Sequence, residues 1–301
     1  MDVYLPIANL SVNGLWIVAL GALTGVLSGL FGVGGGFLTT PLLIFYGIPP
    51  TVAAASASTQ VTGASVSGVL AHGRRKGVDY RMGMVMVGGG VIGAGFGALL
   101  FNFFRSIGQI DVVINALYVL LLGSIGLLMA RESVQVIRGT AGTQAKRRRH
   151  HPLVANLPWR WRFYGSGLYI SPLAPALVGV VVGILTMLMG VGGGFILVPA
   201  MLYILGMSAN VVVGTSLFNI LFVTIATTLM HSLTTRAVDI VLVALLLIGS
   251  VSGAQFGSKI AVTAKPEVLR LVLATIVLLI AFRMLLGLFY EPDEIYTVYP
   301  L

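Results

Sequence analysis

The sequence predicts an all-α polytopic membrane protein of two inverted five-helix repeats, each opening with a glycine-broken hairpin of a long and a short helix. Three observations carry this: charge is scarce, apolar blocks recur at spanning length, and one glycine motif occurs twice. Only 9% of the 301 residues are charged while 57% are hydrophobic, and mean hydropathy is +1.00. So few charges cannot cover the surface of a water-soluble protein of this size. The blocks approach the roughly 20 residues that a helix needs to cross a bilayer, and they lack the period-two alternation of a barrel strand. The chain is therefore expected to contact a lipid bilayer.

The apolar blocks run over residues 12–31, 37–47, 51–71, 82–104 and 108–130, then 173–189, 195–206, 210–230, 238–258 and 267–290. That is five and five. Residues 1–130 form the first repeat, 131–172 a basic cytoplasmic linker, and 173–301 the second repeat. The first eleven residues contain Asp2 and no Lys or Arg, so no basic leader precedes the first block, which is expected to stay as a helix. Cysteine is absent, which excludes disulfides, thiolate nucleophiles and Cys-bound metal.

The net charge of +9 lies in the loops, where it sets orientation instead of reading nucleic acid. Lys146, Arg147, Arg148 and Arg149 sit between two membrane blocks, as an inside anchor would. The linker returns to the bilayer through Trp159, Arg160, Trp161, Arg162 and Tyr164, an interfacial mixture of aromatic and basic residues.

The motif is Gly32-Val33-Gly34-Gly35-Gly36-Phe37, repeated as Gly190-Val191-Gly192-Gly193-Gly194-Phe195, with Pro41 and Pro199 at the same distance beyond. Glycine costs about 1 kcal/mol against alanine inside a helix, so a helix entering either run should stop and another begin. The repeat extends to Gly47-Ile48 and Gly206-Met207, Gln60 and Asn219, His72 and His231, and the Val-Asp pairs at 78–79 and 238–239. A hairpin that enters and leaves on one side, followed by three crossings, inverts the second half. With the linker inside, Arg74, Arg75, Lys76, Arg81, Lys259, Lys265 and Arg270 then also fall inside, while Arg105, Arg236 and the acidic tail from Glu291 face out. Both termini are expected outside a plasma membrane, the inner membrane of a bacterium.

The helices after the breaks are about a dozen residues long and reach only ~18 Å, short of the ~30 Å hydrocarbon core. They are half-helices. Each offers amides with no helical partner at an end carrying roughly half a positive charge, so an anion is the natural occupant. The candidate substrate ligands are Gly34, Gly35 and Gly36 with Gly192, Gly193 and Gly194, flanked by the polar residues Ser56, Ser58, Thr59 and Gln60 and, in the repeat, Thr215, Ser216 and Asn219. Hydroxyls and amides of this kind also serve as glue between helices. Gly21, Gly25 and Gly29, Gly93 with Gly97, and Gly253 with Gly257 have the spacing of close helix packing. His72 and His231 stand at matching block ends and are candidates for gating. Arg283 lies two turns inside its block, where its side chain can snorkel to the interface.

No carboxylate lies near a block centre: Asp79, Asp111, Asp239 and Glu267 fall at ends, which argues against a proton relay or carboxylate-bound sodium. No cofactor or metal is expected. Hydrolysis by Ser56, Ser58 or Ser216 with a histidine is a remote alternative, since no G-x-S-x-G elbow is present.

With GVGGGF followed by proline in both halves, Ser56-Ala57-Ser58 and Gly214-Thr215-Ser216 downstream, the two histidines and the Val-Asp pairs, the chain resembles the sulfite exporter TauE/SafE family over about 240 residues. The resemblance implies a secondary transporter of a small sulfur-containing anion, sulfite or an organosulfonate such as sulfoacetate, moved outward by alternating access around a midplane site. Import of sulfate or thiosulfate is the alternative. The two half-sites differ, Ala55-Ser56-Ala57 against Gly214-Thr215-Ser216.

Overall fold

A computed structural model of the chain describes residues 2–31, 34–74, 77–137, 160–263 and 266–289. Gly32, Val33, Arg75, Lys76, the basic run 146–149, Trp159, Lys265 and the acidic tail lie outside these, as do the side chains of His72, Arg74, Glu267 and Arg270. Two short antiparallel hairpins and ten helices make up the described residues.

The first hairpin pairs β1 (Asp2–Leu5) with β2 (Leu10–Asn13) and leads into α1 (Gly14–Phe31), α2 (Gly36–Phe45), α3 (Pro50–Arg74), α4 (Tyr80–Ser106) and α5 (Ile110–Ile137). The second pairs β3 (Trp161–Phe163) with β4 (Leu168–Ile170) and leads into α6 (Leu173–Met189), α7 (Gly194–Pro199), α8 (Ala209–Met230), α9 (Ile240–Thr263) and α10 (Pro266–Phe289). Helices α7 and α8 each run on into a π turn, Ala200–Ile204 and His231–Thr235. The first follows Pro199, which has no N–H to continue an α-type ladder.

The hairpins correct the purely helical expectation. The residue pairs that close their turns, Leu5 with Leu10 and Phe163 with Leu168, enclose loops of equal length, and each loop places one residue at positive φ, Asn9 and Gly167. The hairpin is thus part of the repeat, and β3–β4 belongs with the second half although it falls within residues 131–172.

Five stretches are long and apolar enough to cross a bilayer: Tyr80–Ser106, Ile110–Gln135, Val211–Thr235, Ile240–Gly257 and Leu271–Phe289. The chain is a multi-pass membrane protein whose shorter apolar helices lie before the first of these stretches, Gly14–Leu30 and Gly36–Phe45, and between the second and third, Leu173–Met189 and Gly194–Ile204. Helix α3 has 25 residues but is rich in Ser, Thr, Gly and Ala, and residues 52–58 are buried throughout. Polar helices at membrane depth need protein around them.

The halves exchange partners. Helix α1 packs along α9, where a Cβ on Gly21 would stand 2.6 Å from Leu246 O and one on Gly25 2.3 Å from Ser250 O. Helix α4 packs along α6 in the same way, Gly93 against Val180 O at 2.1 Å and Gly97 beside Ile184. Backbones this close exclude any side chain, the packing role assigned to these glycines. The pairs of contacts advance together, so both packings are parallel. Helices α3 and α8 occupy matching places in the two halves, yet their contact runs antiparallel: Thr59 meets Thr228 and Thr62 meets Thr224, and Gly68 lies beside Leu217.

Candidate substrate site

The site begins where α1 and α6 stop. Helix α6 ends on Gly190 at φ 73°, and Gly192 and Gly193 follow at 72° and 74°; Gly34 in the first half stands at 75°. These left-handed values are open to glycine at little cost, so the chain turns back at once into the half-helices. In α2 the first amides to find a helical acceptor are Leu38 and Thr39, both on Gly35 O; in α7 they are Ile196 and Leu197, both on Gly193 O. The amides of Gly36, Phe37, Gly194 and Phe195 precede that ladder.

The two tips meet. Phe37 and Phe195, one residue past each glycine run, stack at 4.6 Å and 9°. A Cβ on Gly36 would lie 2.8 Å from Val191 O and 3.0 Å from Gly190 O. Thr40 Oγ1 donates to Met189 O (3.2 Å), and Tyr118 Oη donates to the same carbonyl (2.7 Å), satisfying an acceptor that the end of α6 leaves without a helical partner. Two matched residues from the long helices α3 and α8 close on this junction. Val61 and Ile220, both fully buried, lie against Gly34 and Gly192 alike. In this conformation an apolar pair covers the glycine runs, where the sequence led us to expect polar groups directly around exposed amides.

The predicted polar ligands separate into three groups. Ser56 and Thr215 hold the opposite half: Ser56 Oγ accepts from Asp239 N (3.2 Å) and Thr215 Oγ1 from Asp79 N (2.9 Å). Thr59 bonds Ala55 O and Thr228 Oγ1, and Ser216 donates to Val213 O, so both act within or between helices. Ser58 Oγ, Gln60 Oε1 and both side-chain atoms of Asn219 are buried with no hydrogen-bond partner, as is Ser65 Oγ. Ser58 and Ser65 stand three residues before and four after Val61, on the same face of α3. A buried orphan polar atom costs about 1–3 kcal/mol, and five of those among the described residues lie on α3 and α8.

His231 is buried, with Nε2 at 3.0 Å from Met187 O, Nδ1 at 3.3 Å from Thr235 Oγ1 and its ring edge-on to Phe101. These contacts brace the end of α6 from α8; the ring addresses none of the serines proposed for hydrolysis. Arg283 is exposed with its guanidinium over the Phe45 ring at 5.5 Å, as a snorkelling side chain would be.

Sequence reasoning passed over a reciprocal pair of latches. Asp79 caps α4 by accepting from Met82 N and, with its other oxygen, from Ser166 N in the β3–β4 turn (2.8 Å). Asp239 caps α9 by accepting from Val241 and Leu242 N and takes Ile7 N of the β1–β2 turn at 3.0 Å. The matched Val-Asp pairs carried that signal. It stayed unread because an aspartate at a block end looks like an ordinary cap.

Residues 17–284 match the family described as sulfite exporter TauE/SafE. The probable membrane transporter protein YjnA of Bacillus subtilis is 27% identical over 272 residues, covering 89% of this chain and 98% of that protein. A probable membrane transporter protein of Xylella fastidiosa is 27% identical over 271 residues, 88% of this chain and 92% of the relative. A shorter segment of 49 residues, 16% of this chain and 11% of the relative, is 51% identical to sulfite exporter TauE/SafE family protein 1 of Arabidopsis thaliana. No solved structure matches the chain.

Proposed function

This chain belongs to the sulfite exporter TauE/SafE family of membrane transporters, and from that premise we propose that it carries a small sulfur-containing anion, sulfite or an organosulfonate, outward across the plasma membrane. The observation that supports this best is the meeting of two half-helix tips against Val61 and Ile220, on the same two helices that carry the buried, unpartnered Ser58 Oγ, Gln60 Oε1 and Asn219 side-chain amide. Half-helix ends offer partial positive charge and amides, and Ser58 Oγ and Asn219 Nδ2 add neutral donors, a combination suited to a tetrahedral or pyramidal oxyanion.

Two repeats of inverted topology around a midplane site underlie the transport cycle we propose. The antiparallel contact of α3 with α8, matching helices of the two halves, supports that inversion. Transport then requires Val61 and Ile220 to withdraw from the glycine runs first on one side and then on the other. Export needs no coupled ion: a monoanion leaving a negative interior gains ~2.3 kcal/mol per 100 mV.

The test is a thermal-shift screen of detergent-purified protein against sulfite, sulfate, thiosulfate, sulfoacetate and carboxylate controls, repeated with Gln60→Ala and Asn219→Ala. A sulfur oxyanion should raise the melting temperature of the parent protein, and both variants should lose at least half of the rise. An unchanged rise in both variants refutes the site. Glycine variants are poorer tests, because a Cβ on Gly193 would stand 2.1 Å from Val182 Cγ1 and disturb folding. Flux measured in both directions in vesicles separates export from import of sulfate or thiosulfate.

A further inference from the structure

A cavity of about 570 Å³ lies between the start of α4 and the β3–β4 hairpin, away from the glycine runs. Three arginines line it, Arg81, Arg160 and Arg162, together with Trp161, Tyr164 and Met84. The guanidinium groups of Arg81 and Arg162 both approach the Tyr164 ring, at 5.6 and 5.8 Å from its centre. A ring contact at that distance does not use up the five N–H donors of a guanidinium. No carboxylate is among the described lining residues. The Asp79 carboxylate nearby in sequence is already engaged by Met82 N and Ser166 N.

The fold does not itself require this charge, because the other half supplies an internal control. When the two hairpins are superposed by their turns, Asp2 and Tyr4 take the places of Arg160 and Arg162. Val241, two residues beyond Asp239, takes the place of Arg81, two residues beyond Asp79. One hairpin, with the helix start beside it, therefore carries three cations where the matching place in the other half carries one carboxylate. Tyr80 and Met84, one helical turn apart on α4, are 53% and 61% exposed at the first turns of a stretch apolar enough to cross a bilayer. The cations thus stand at the end of a lipid-facing apolar strip, beside an exposed Trp and Tyr of the kind that settles at headgroup level.

We propose that this cavity binds the phosphodiester headgroup of an anionic phospholipid, with Arg81 and Arg162 on the phosphate and an acyl chain along Met84 and Tyr80. A free oxyanion shares the phosphate chemistry but leaves the apolar wall uncovered, so the lipid is the better fit. The turn of the hairpin also holds Asp79 through Ser166, which places a bound headgroup one hydrogen bond from the latch at the start of α4.

The test is native mass spectrometry of the full chain released from nanodiscs containing equal amounts of phosphatidylglycerol and phosphatidylcholine, with inorganic phosphate and sulfate added in parallel runs. The parent protein should retain phosphatidylglycerol selectively. Each of Arg81→Gln and Arg162→Gln should cut that retention about fivefold, given that a basic residue near an anionic surface contributes about 1 kcal/mol. Arg81→Lys should restore part of it, and Arg236→Asn, which removes an exposed cation elsewhere while suiting the positive φ there, should change nothing. Equal retention of both lipids, or unaltered retention in the glutamine variants, overturns the proposal. Displacement of phosphatidylglycerol by inorganic phosphate or sulfate at comparable concentration overturns it as well, showing a simple anion site.

Discussion

Replacing Asp79 by alanine tests whether the reciprocal latches hold the halves together. Asp79 is 3% exposed and its two carboxylate oxygens accept from Met82 N at 3.1 Å and Ser166 N at 2.8 Å. Losing an N-cap costs about 1 kcal/mol, and losing a hydrogen bond to a charged acceptor costs about 1.5–3 kcal/mol. The sum is about 2.5–4 kcal/mol, a large share of the 5–15 kcal/mol that typically separates folded from unfolded protein. Asp79→Asn keeps the shape and one acceptor oxygen, so about half that loss is expected. Asp239→Ala should match Asp79→Ala, because Asp239 makes the same kinds of bond to its own helix and to Ile7. The assay is reversible unfolding in mixed detergent followed by tryptophan fluorescence, with Asp111→Ala as the reference for a carboxylate at a helix start. Losses below about 1 kcal/mol for both latch variants, or no larger than that of the reference, would refute the reasoning.

Two further substitutions separate packing from site. Gly93→Ala should prevent close approach of α4 and α6, since its Cβ would stand 2.1 Å from Val180 O, whereas Gly95→Ala meets nothing within 4 Å. The second should be neutral or stabilising by up to about 1 kcal/mol, and size-exclusion profiles with thermal melts of the pair check both. Ile220→Ala removes side-chain bulk from the cover over Gly34 and Gly192 and should cost about 2–5 kcal/mol of stability while raising the rate of anion flux into vesicles; a slower flux with intact folding would show that the side chain is not a barrier.

Most of the helical framework was readable from patterns that local physics imposes. Glycine runs predicted the breaks because left-handed backbone angles at Gly34, Gly192 and Gly193 favour that residue, and the half-helices fall at Gly36–Phe45 and Gly194–Ile204, close to the expected positions. The hairpins were hidden because two strands of three or four residues leave no periodic signal, and Trp161 and Arg162 read as interface residues in either conformation. Among the polar candidates, sequence could not separate Ser56 from Ser58. Both are fully buried, but two residues along a helix is a rotation of about 200°, enough to point one at Asp239 N and leave the other without a partner. Val61 and Ile220 went unread because apolar residues in apolar helices are unremarkable until their neighbours are known.

The exchange of partners bears on how the repeats can work. Helix α1 lies along α9 and α4 along α6, while each latch ties a helix of one half to a hairpin and a hydroxyl of the other. Each half packs its long helices against those of the other, so the described parts of the two halves form a single unit in structure. With perfect repeats, an exchange of roles between the halves would leave the energy unchanged, and inward-facing and outward-facing forms would be equally populated. In the inverted-repeat cycle proposed above, the differences between the halves set the bias. Thr40 stands opposite Val198 and bonds Met189 O with no counterpart hydroxyl at Val198; Gln60 stands opposite Asn219, one methylene shorter; and Arg81 stands opposite Val241. A bias of 1.4 kcal/mol from such substitutions makes one form tenfold more populated, so Thr40→Val, which makes the two tips alike at this position, should move the balance toward equal populations. Cysteine accessibility on both faces of the membrane reads that balance directly, in a chain whose lack of native cysteine makes every introduced thiol a clean reporter.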